Sequence, residues 1–410
     1  MAVHTALPVF SDFVDALYAA EFDTYHSRPD AKVRDSEAFE EMRRHLIERN
    51  AGMGAVYSFA ESDGDIVDCV PAERQPGLAR TGAELLATPA DPPSAPQAYA
   101  DLPEFVTEPP QSPPPQLRAD RRDPYDNQML CPEGTVPILR LTLEQLVRFP
   151  TLEDFLRGGL QVRRDEQGVV SLAGKFWGNA YDTRDNLGGA SGVNVWAPLV
   201  FGVESSASQQ WFTSGTGSSP FQSVECGYRL GPPFDNKPRL FVFYTPDTYA
   251  SLCYNDWHPG TWVYRTGASH VLGTALTASQ PGAPVQYRMG FFLTGGAWWF
   301  SIGGDWIGYY PATLFGSGTL ATKAASAGFG GEVGGIGSFP AMGSGKKPPA
   351  GYGLAAYQHD VIVARPTGAE SANLAPEPTS ANCYGVDVTN HSGSAWGSYL
   401  FFGGPGGLNC

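Results

Sequence analysis

Charge is scarce in this sequence, at 17% of 410 residues, and basic charge is scarcer still: 27 Lys and Arg stand against 42 Asp and Glu. The resulting balance of −15 argues against a nucleic-acid partner, which needs a basic stripe. It suits an acidic working environment, and solubility explains it equally well. No apolar run approaches the length that spans a bilayer, so no membrane partner is expected. Met1 to Leu7 shows neither a basic n-region nor an apolar h-region, and no signal peptide is visible there. The seven His are scattered, without an HExxH motif or a close pair, so no metal and no cofactor is expected. A GxSxG elbow is missing, which counts against a serine triad. Gly343-Ser344-Gly345-Lys346 fails as a phosphate loop, because Pro340 stands where the pattern needs Gly and Lys347 follows where it needs Ser or Thr. No internal repeat is evident.

Cysteines are few but even in number, and none of the six forms a CxxC pair. Cys69 and Cys131 bracket a Pro-rich stretch, Cys383 and Cys410 bracket the last segment, and Cys226 and Cys253 remain. We expect three disulfides and therefore a secreted protein; six buried thiols in a reduced compartment are the alternative. A Cys383–Cys410 bridge would contribute roughly 3 kcal/mol by loop entropy.

What the chain has in quantity is 49 Gly, 35 Pro and 12% aromatic residues, the texture of a Gly-rich all-β protein. Its length points to more than one unit. Residues 1–34 read as an acidic amphipathic lead-in, with Phe10, Phe13, Leu17 and Phe22 among acids. Residues 35–165 form a second region. There Ser36, Phe39, Met42 and Leu46 mark one face of a helix, Asp63–Val70 reads as a turn followed by a short strand-like run, and Cys131–Ile138 as a turn and a strand. Leu141–Leu156 reads as a helical stretch, and the Pro-rich segment 88–118 as a linker or surface wrap. From residue 166 to 410, short apolar runs alternate with Gly, Ser and Asn clusters. Val193–Val200, Gln209–Thr213, Leu240–Tyr244, Val285–Leu293, Trp298–Ile302 and Tyr399–Phe402 are examples. They predict many antiparallel strands in a sandwich or barrel.

Several short motifs then carry a family likeness, in order along the chain. Asp65-Ile66-Val67-Asp68-Cys69-Val70 and Cys131-Pro132-Glu133-Gly134-Thr135-Val136-Pro137 resemble the activation segment of the neprosin family. Asn194-Val195-Trp196-Ala197-Pro198, Ser208-Gln209-Gln210-Trp211, Glu225-Cys226-Gly227-Tyr228, Cys253-Tyr254-Asn255, Trp298-Trp299, Phe329-Gly330-Gly331-Glu332 and Met342-Gly343-Ser344-Gly345 resemble the family's later motifs. The tail from Asn382-Cys383-Tyr384 to Gly403-Gly404-Pro405-Gly406 does so as well. The resemblance covers roughly residues 35–410. It implies a mainly β protein, with an antiparallel, lectin-like β-sandwich catalytic domain and a small N-terminal α+β activation domain. It also implies a secreted zymogen, held by its own pro-domain as intramolecular inhibitor, and a glutamic endopeptidase active at acidic pH with a preference in some members for cutting after proline. The family's two catalytic glutamates fall on Glu225 and Glu332. Plant members carry a second cysteine close to the Cys253 motif; here none follows, and Cys226 is the expected partner of Cys253.

The chemistry has a physical basis beside the likeness. Two carboxylates in one cleft cannot both ionise cheaply, so one becomes an acid while the other stays a base toward water. Alternation places Ser223, Glu225, Gly227 and Arg229 on one strand face and Val224, Cys226 and Tyr228 on the other. Glycines beside Glu332 leave room for a substrate backbone. Gln209 and Trp211 share a strand face, where a Gln amide suits a carboxylate or an oxyanion. Together with Trp196, Trp298 and Tyr228 they are the expected substrate-binding residues; Trp299, Tyr309 and Tyr310 are further groove candidates, with core packing the alternative for the aromatics. A Cys226 nucleophile served by His258 or His270 is a weaker reading, because Cys226 faces away from Glu225. Asn390-His391-Ser392 is a single glycosylation sequon. The expected partner is a peptide or protein substrate, with Pro-rich chains favoured, acting on a monomer. The competing functions are a non-catalytic carbohydrate-binding sandwich and a glycosidase using the same two carboxylates. For activation, residues up to about 165 are expected to block the cleft, with a cut between Arg157 and Leu172.

Overall fold

A computed structural model describes residues 7, 9–79, 85–94, 110–158, 162–164, 170–172, 174–215, 219–378, 382–408 and 410. The chain opens with α1 (Phe10–Ala19), α2 (Phe22–His26) and α3 (Ser36–Asn50). Helix α3 starts where the Asp35 carboxylate caps the Ala38 amide at 2.8 Å. It buries Phe39, Met42 and Leu46 along one face, as the periodicity predicts. Strands β1 (Tyr57–Ala60) and β2 (Ile66–Pro71), helix α4 (Pro76–Ala79) and strand β3 (Thr135–Leu139) follow. The three strands form a small antiparallel sheet. The Cys69–Cys131 disulfide ties this sheet, and Arg140 grips Asp68 bidentately, at 2.8 and 2.6 Å, beneath it. Helices α5 (Leu143–Leu146) and α6 (Leu152–Leu156) are the helical stretch expected over Leu141–Leu156, broken in two at Pro150. Part of the Pro-rich segment, from 95 to 109, lies outside the described residues.

Strands β4 (Val162–Arg164) and β5 (Val170–Leu172) pair in the connector. The sandwich is built from β6 (Lys175–Asp182), β7 (Gly188–Asn194), β8 (Ser205–Ser214), β9 (Gln222–Leu230), β10 (Arg239–Thr245), β11 (Cys253–Tyr254), β12 (Val263–Tyr264), β13 (Gln286–Thr294), β14 (Ala297–Ile302), β15 (Asp305–Pro311) and β16 (Ser326–Gly334). Then come β17 (Ser338–Phe339), β18 (Ala356–Arg365), β19 (Gly368–Ser371), β20 (Ala375–Pro378), β21 (Gly385–Thr389), β22 (Tyr399–Gly403) and β23 (Gly407–Leu408). Seven of them form one sheet in the order β11-β10-β9-β8-β16-β6-β20. Nine form the other, in the order β12-β15-β14-β13-β7-β18-β22-β21, with β19 beside β18. The structure is therefore mainly β and antiparallel, with a small N-terminal helical and β unit. The run expected as a strand over Val193–Val200 ends at Asn194, ahead of Pro198.

The sheets meet face to face over an aromatic core. Phe212, Val224, Tyr228 and Phe329 from one sheet pack with Met289, Phe291, Trp298 and Phe300 from the other. A second cluster joins the N-terminal unit to the sandwich: Phe39, Met42, Leu46, Leu143, Leu146 and Phe155 pack with Phe241, Phe243, Tyr254 and Trp257. The lead-in takes part too, through Leu17 and Val33. Phe155 stacks on Trp257 at 4.6 Å between ring centres, a contact worth about 0.5–1.5 kcal/mol beyond area burial. Polar anchors cross the same boundary. Arg49 of α3 reaches a buried Asp256 at 2.8 Å, and Arg239 holds Asp63 and Asp65.

Candidate active site

Register decides which side chains share the outer face of the seven-stranded sheet. Residues opposite one another in paired strands point the same way. Across β9, β8 and β16, Glu225 stands opposite Trp211 and then Gly328; Gly227 opposite Gln209 and then Gly330; Arg229 opposite Ala207 and then Glu332. Strand β6 extends these rows with Tyr181, Asn179 and Trp177, and brings Lys175 opposite Gly334. On the other side, β10 adds Phe243 beside Glu225 and Phe241 beside Gly227.

The two glutamates thus sit two strands apart, ~10 Å across, and four residues apart along the strand, ~13 Å, with Gln209 at the midpoint of the diagonal. Both line one cavity of about 190 Å³ with Trp177, Tyr181, Gln209, Trp211, Tyr249 and Tyr254. That is room for several waters at ~30 Å³ each. The floor is kept low by glycine. Gly330 has φ +147°, and a β-carbon there would lie 2.3 Å from the Gly178 carbonyl oxygen. Beneath the floor, Gln358 of the opposite sheet donates to the carbonyls of Gln209 and Gly330, at 3.1 and 3.2 Å. A larger cavity, about 630 Å³, lies beyond Arg229 between the N-terminal unit and the sandwich.

The two carboxyls are treated oppositely. Glu225 receives only neutral donors, the Gln209 amide on Oε2 at 2.8 Å and the Ser223 hydroxyl on Oε1 at 2.7 Å. Burial pushes it up to about 8; the Ser223 bond opposes this, and the Glu332 charge adds to it. Glu332 is as deeply buried, which alone would raise it. Lys175 and Arg229 outweigh that and hold it below the ordinary carboxylate range. The Lys175 ammonium is ion-paired with Oε1, Arg229 stands 3.5 Å from the same oxygen, and the Trp177 indole donates to Oε2 at 3.0 Å. Such a pair holds an acid and a base in one cavity at the same pH.

Of the residues expected from the sequence, the structure brings together Glu225, Glu332, Gln209 and Trp211. It corrects three others. Tyr228 points into the core, where its hydroxyl accepts the Trp196 amide at 3.0 Å, as the alternation along β9 requires. Trp196 is buried with its indole on Asn194. Trp298 belongs to the other sheet, fully buried, with its indole donating to the Leu320 carbonyl at 2.8 Å. Trp299 and Tyr309 pack with tilted rings, 4.5 Å between centres, in a separate cluster with Trp306 and Phe292, and Tyr310 is core.

The cysteine map is corrected in one pair. Cys69–Cys131 and Cys383–Cys410 are bonded, while Cys226 and Cys253 are buried free thiols. Strand β10 lies between their strands: Cys226 faces Val242 and Cys253 faces Tyr244. Two strand spacings, ~10 Å, exceed the ~7 Å that a disulfide spans between α-carbons. Burial also pushes the Cys226 thiol well above its ordinary value and that of Cys253 up to about 12, so neither is a ready nucleophile. Lys175, Trp177, Ser223, Arg229, Tyr181 and Tyr249 complete the site and were not among the site residues expected. Alternation along β9 places Ser223 and Arg229 beside Glu225; alternation puts Lys175, Trp177 and Tyr181 on one face of β6, but only the β6–β16 register brings that face to Glu332, and Tyr249 comes from the loop after β10. Among the described residues no group of three His, Cys, Asp or Glu is placed to hold a metal ion.

Residues 202–405 match the family model described as Neprosin. The chain carries a neprosin domain. The match takes in β8 to β22, hence Glu225 and Glu332, while the neprosin-like motifs at 65–70, 131–137 and 194–198 lie before it. Among solved structures, the chain is similar to a scytalido-glutamic peptidase with a transition-state analogue inhibitor (TM-score 0.33, 10% identity) and to one with a peptide-based analogue (0.30, 9%). SCP-B of the eqolisin family, in complex with the tripeptide Ala-Ile-His, is a third (0.29, 7%). Each overlap covers 56% of this chain and 98% of the other.

Proposed function

We propose that the chain is the precursor of a glutamic endopeptidase in which Glu332 is the general base and Glu225 the general acid. The observation that carries this reading is the opposite electrostatic treatment of two buried glutamates in one cavity. Glu332, ionised, takes a proton from a water lying between the two carboxyls, and that water attacks the scissile carbonyl carbon. Glu225, protonated, hydrogen-bonds the carbonyl oxygen while keeping its proton, and then transfers that proton to the departing nitrogen as the C–N bond breaks and the carbonyl re-forms. A second amide hydrogen of Gln209 is free to meet the oxyanion. Proton exchange through water returns Glu332 and Glu225 to their starting forms.

The walls support a proline-containing peptide as substrate. Trp211, Phe221, Phe243, Tyr249 and Tyr254 surround Glu225 with flat apolar faces on which a proline ring can stack. A zymogen is supported by where the N-terminal unit sits. Phe241 and Phe243, which that unit covers, belong to the same sheet face as Glu225 and extend it toward the sheet edge. Arg157, where the connector begins, donates to the Tyr249 carbonyl at 3.3 Å and so ties the N-terminal unit to a wall of the cavity. The disulfides Cys69–Cys131 and Cys383–Cys410 support work outside the cytosol.

The test is cleavage of a Pro-rich peptide at about pH 3–5 after acid treatment. Glu225→Gln and Glu332→Gln should each lower kcat by at least ~10²-fold, the usual contribution of a positioned acid or base. Equal cutting by either variant ends this reading, and release of sugars from a polysaccharide by the wild type, with no peptide cut, would establish a glycosidase.

A further inference from the structure

We propose that Lys175 is a positioning residue of this site: its buried ammonium, paired with Glu332 Oε1, keeps that carboxylate ionised in acid and so sets the lowest pH at which the base can work. In its kinetic consequence the proposal rests on the peptidase reading above.

The placement is built by the backbone. Lys175 opens β6, and Gly174 just before it is pinned to the end of β16, where the Gly335 amide donates to the Gly174 carbonyl at 2.9 Å. Gly174 has φ +70°, and a β-carbon there would lie 2.2 Å from the Gly335 carbonyl oxygen, so glycine is needed at this crossing. The register then sets Lys175 opposite Gly334, two residues beyond Glu332 and on its face. Its side chain is 5% exposed, Arg229 likewise 5%, and Glu332 8%.

Two cations around one buried carboxylate are more than pairing requires. Burying an ion pair brings little net stability, so stability does not account for a second cation. Electrostatic control of Glu332 does. The charged and titratable groups facing it are Lys175 and Tyr181 from β6, Arg229 and Glu225 from β9, Tyr249 from the loop after β10, and Tyr254 from β11; Glu225 carries no charge while protonated, and burial and the nearby carboxylates raise the three phenols, which stay neutral in acid. Arg229 is also anchored to the Pro232 carbonyl at 3.0 Å, which fixes its head away from the closest approach. Lys175 is therefore the nearer charge. It is pulled down only to about 8, by burial first and with Glu332 opposing, so it is cationic throughout the acidic range.

The sign follows. A cation against a carboxylate lowers its pKa by roughly 1–3 units, and removing the cation raises it again. Lys175→Met and Lys175→Gln should move the acidic limb of the kcat/KM profile upward by about one unit or more, a loss of ~10-fold or greater at the lowest pH that shrinks as pH rises. Lys175→Arg, which restores charge, should bring the limb back toward the wild type. In parallel, the Glu332 carboxyl is titrated by infrared difference spectroscopy, with Glu332→Gln used to assign its band. Coincident acidic limbs in wild type and neutral variants, or a loss of equal factor at every pH with Glu332 titrating unmoved, would overturn the proposal. So would a Glu332 band that titrates in the ordinary carboxylate range in the wild type itself, a result that needs no variant to fold. If the wild type cuts no peptide, the peptidase reading fails by itself, and the infrared titration still decides what Lys175 does to Glu332.

Discussion

At the scale of single residues, the site is a contrast between neutral and charged donors. Gln209 and Ser223 can bond Glu225 without favouring its ionised form enough to offset burial, whereas Lys175 and Arg229 do so for Glu332. The pair is therefore correctly protonated from below the ordinary carboxylate range up to about 8. Gln209 occupies the midpoint between the two, where its amide bonds Glu225 and keeps a second hydrogen for a developing oxyanion. Losing a single oxyanion donor costs ~10²–10³ in kcat. Gln209→Leu should therefore lower kcat about 100-fold with a much smaller change in KM, as steady-state kinetics on one peptide would measure. An unchanged kcat would remove Gln209 from the reaction.

At the scale of strands, β10 is the element that reorganised the sequence reading. It separates Cys226 from Cys253, so two thiols should react with Ellman's reagent in denaturant without prior reduction, and two disulfides should remain. Zero thiols would restore the expected third bridge. Sequence distance does not tell the pairs apart, since the bonded Cys383 and Cys410 stand 27 residues apart and the bonded Cys69 and Cys131 stand 62 apart; ruling out the inner pairing needed the strand order. The glutamates were legible without it. Period-two alternation names a face without any knowledge of neighbours, which placed Ser223, Glu225, Gly227 and Arg229 together, and likewise Gln209 with Trp211. For the aromatic residues ring chemistry is a poorer guide than this alternation, which already turns Tyr228 inward. Both faces of the seven-stranded sheet carry rings, Trp211 outward and Phe212 inward on one strand, so ring chemistry did not separate Tyr228, Trp196 and Trp298 from the wall of the cleft. Lys175 lay beyond reach for want of register, since 157 residues separate it from Glu332 and only the β6–β16 pairing joins them.

At the scale of the whole molecule, the proposed zymogen requires acid to act on the N-terminal unit, because the proposed acid–base pair does not itself demand low pH. The ion pairs across the boundary are the obvious latch, yet Asp65 has the wrong sign. Burial raises it despite Arg239, so its docked form binds a proton more tightly than an exposed aspartate would, and docking through this group is favoured, not lost, as pH falls. Asp123 has the right sign. Burial works against it, but the amides of Ala60, Tyr125 and Asn127 and the Asn127 side chain, at 2.7–3.0 Å, hold it below its ordinary value. A depressed carboxyl contributes stability that is present above the unfolded value, about 3.9, and is lost as pH falls through the folded one. On the proposed zymogen reading, the acid-sensitive joint is expected inside the N-terminal unit, where the loop around Asp123 meets β1. Asp123→Ala should accordingly raise the pH at which the precursor opens, whereas Asp65→Asn should not. The measurement is a series of acid incubations followed by assay at about pH 6, within the window of the catalytic pair, with the chain's mass recorded at each step. A midpoint raised by Asp65→Asn and unmoved by Asp123→Ala would return the latch to the Arg239 ion pairs.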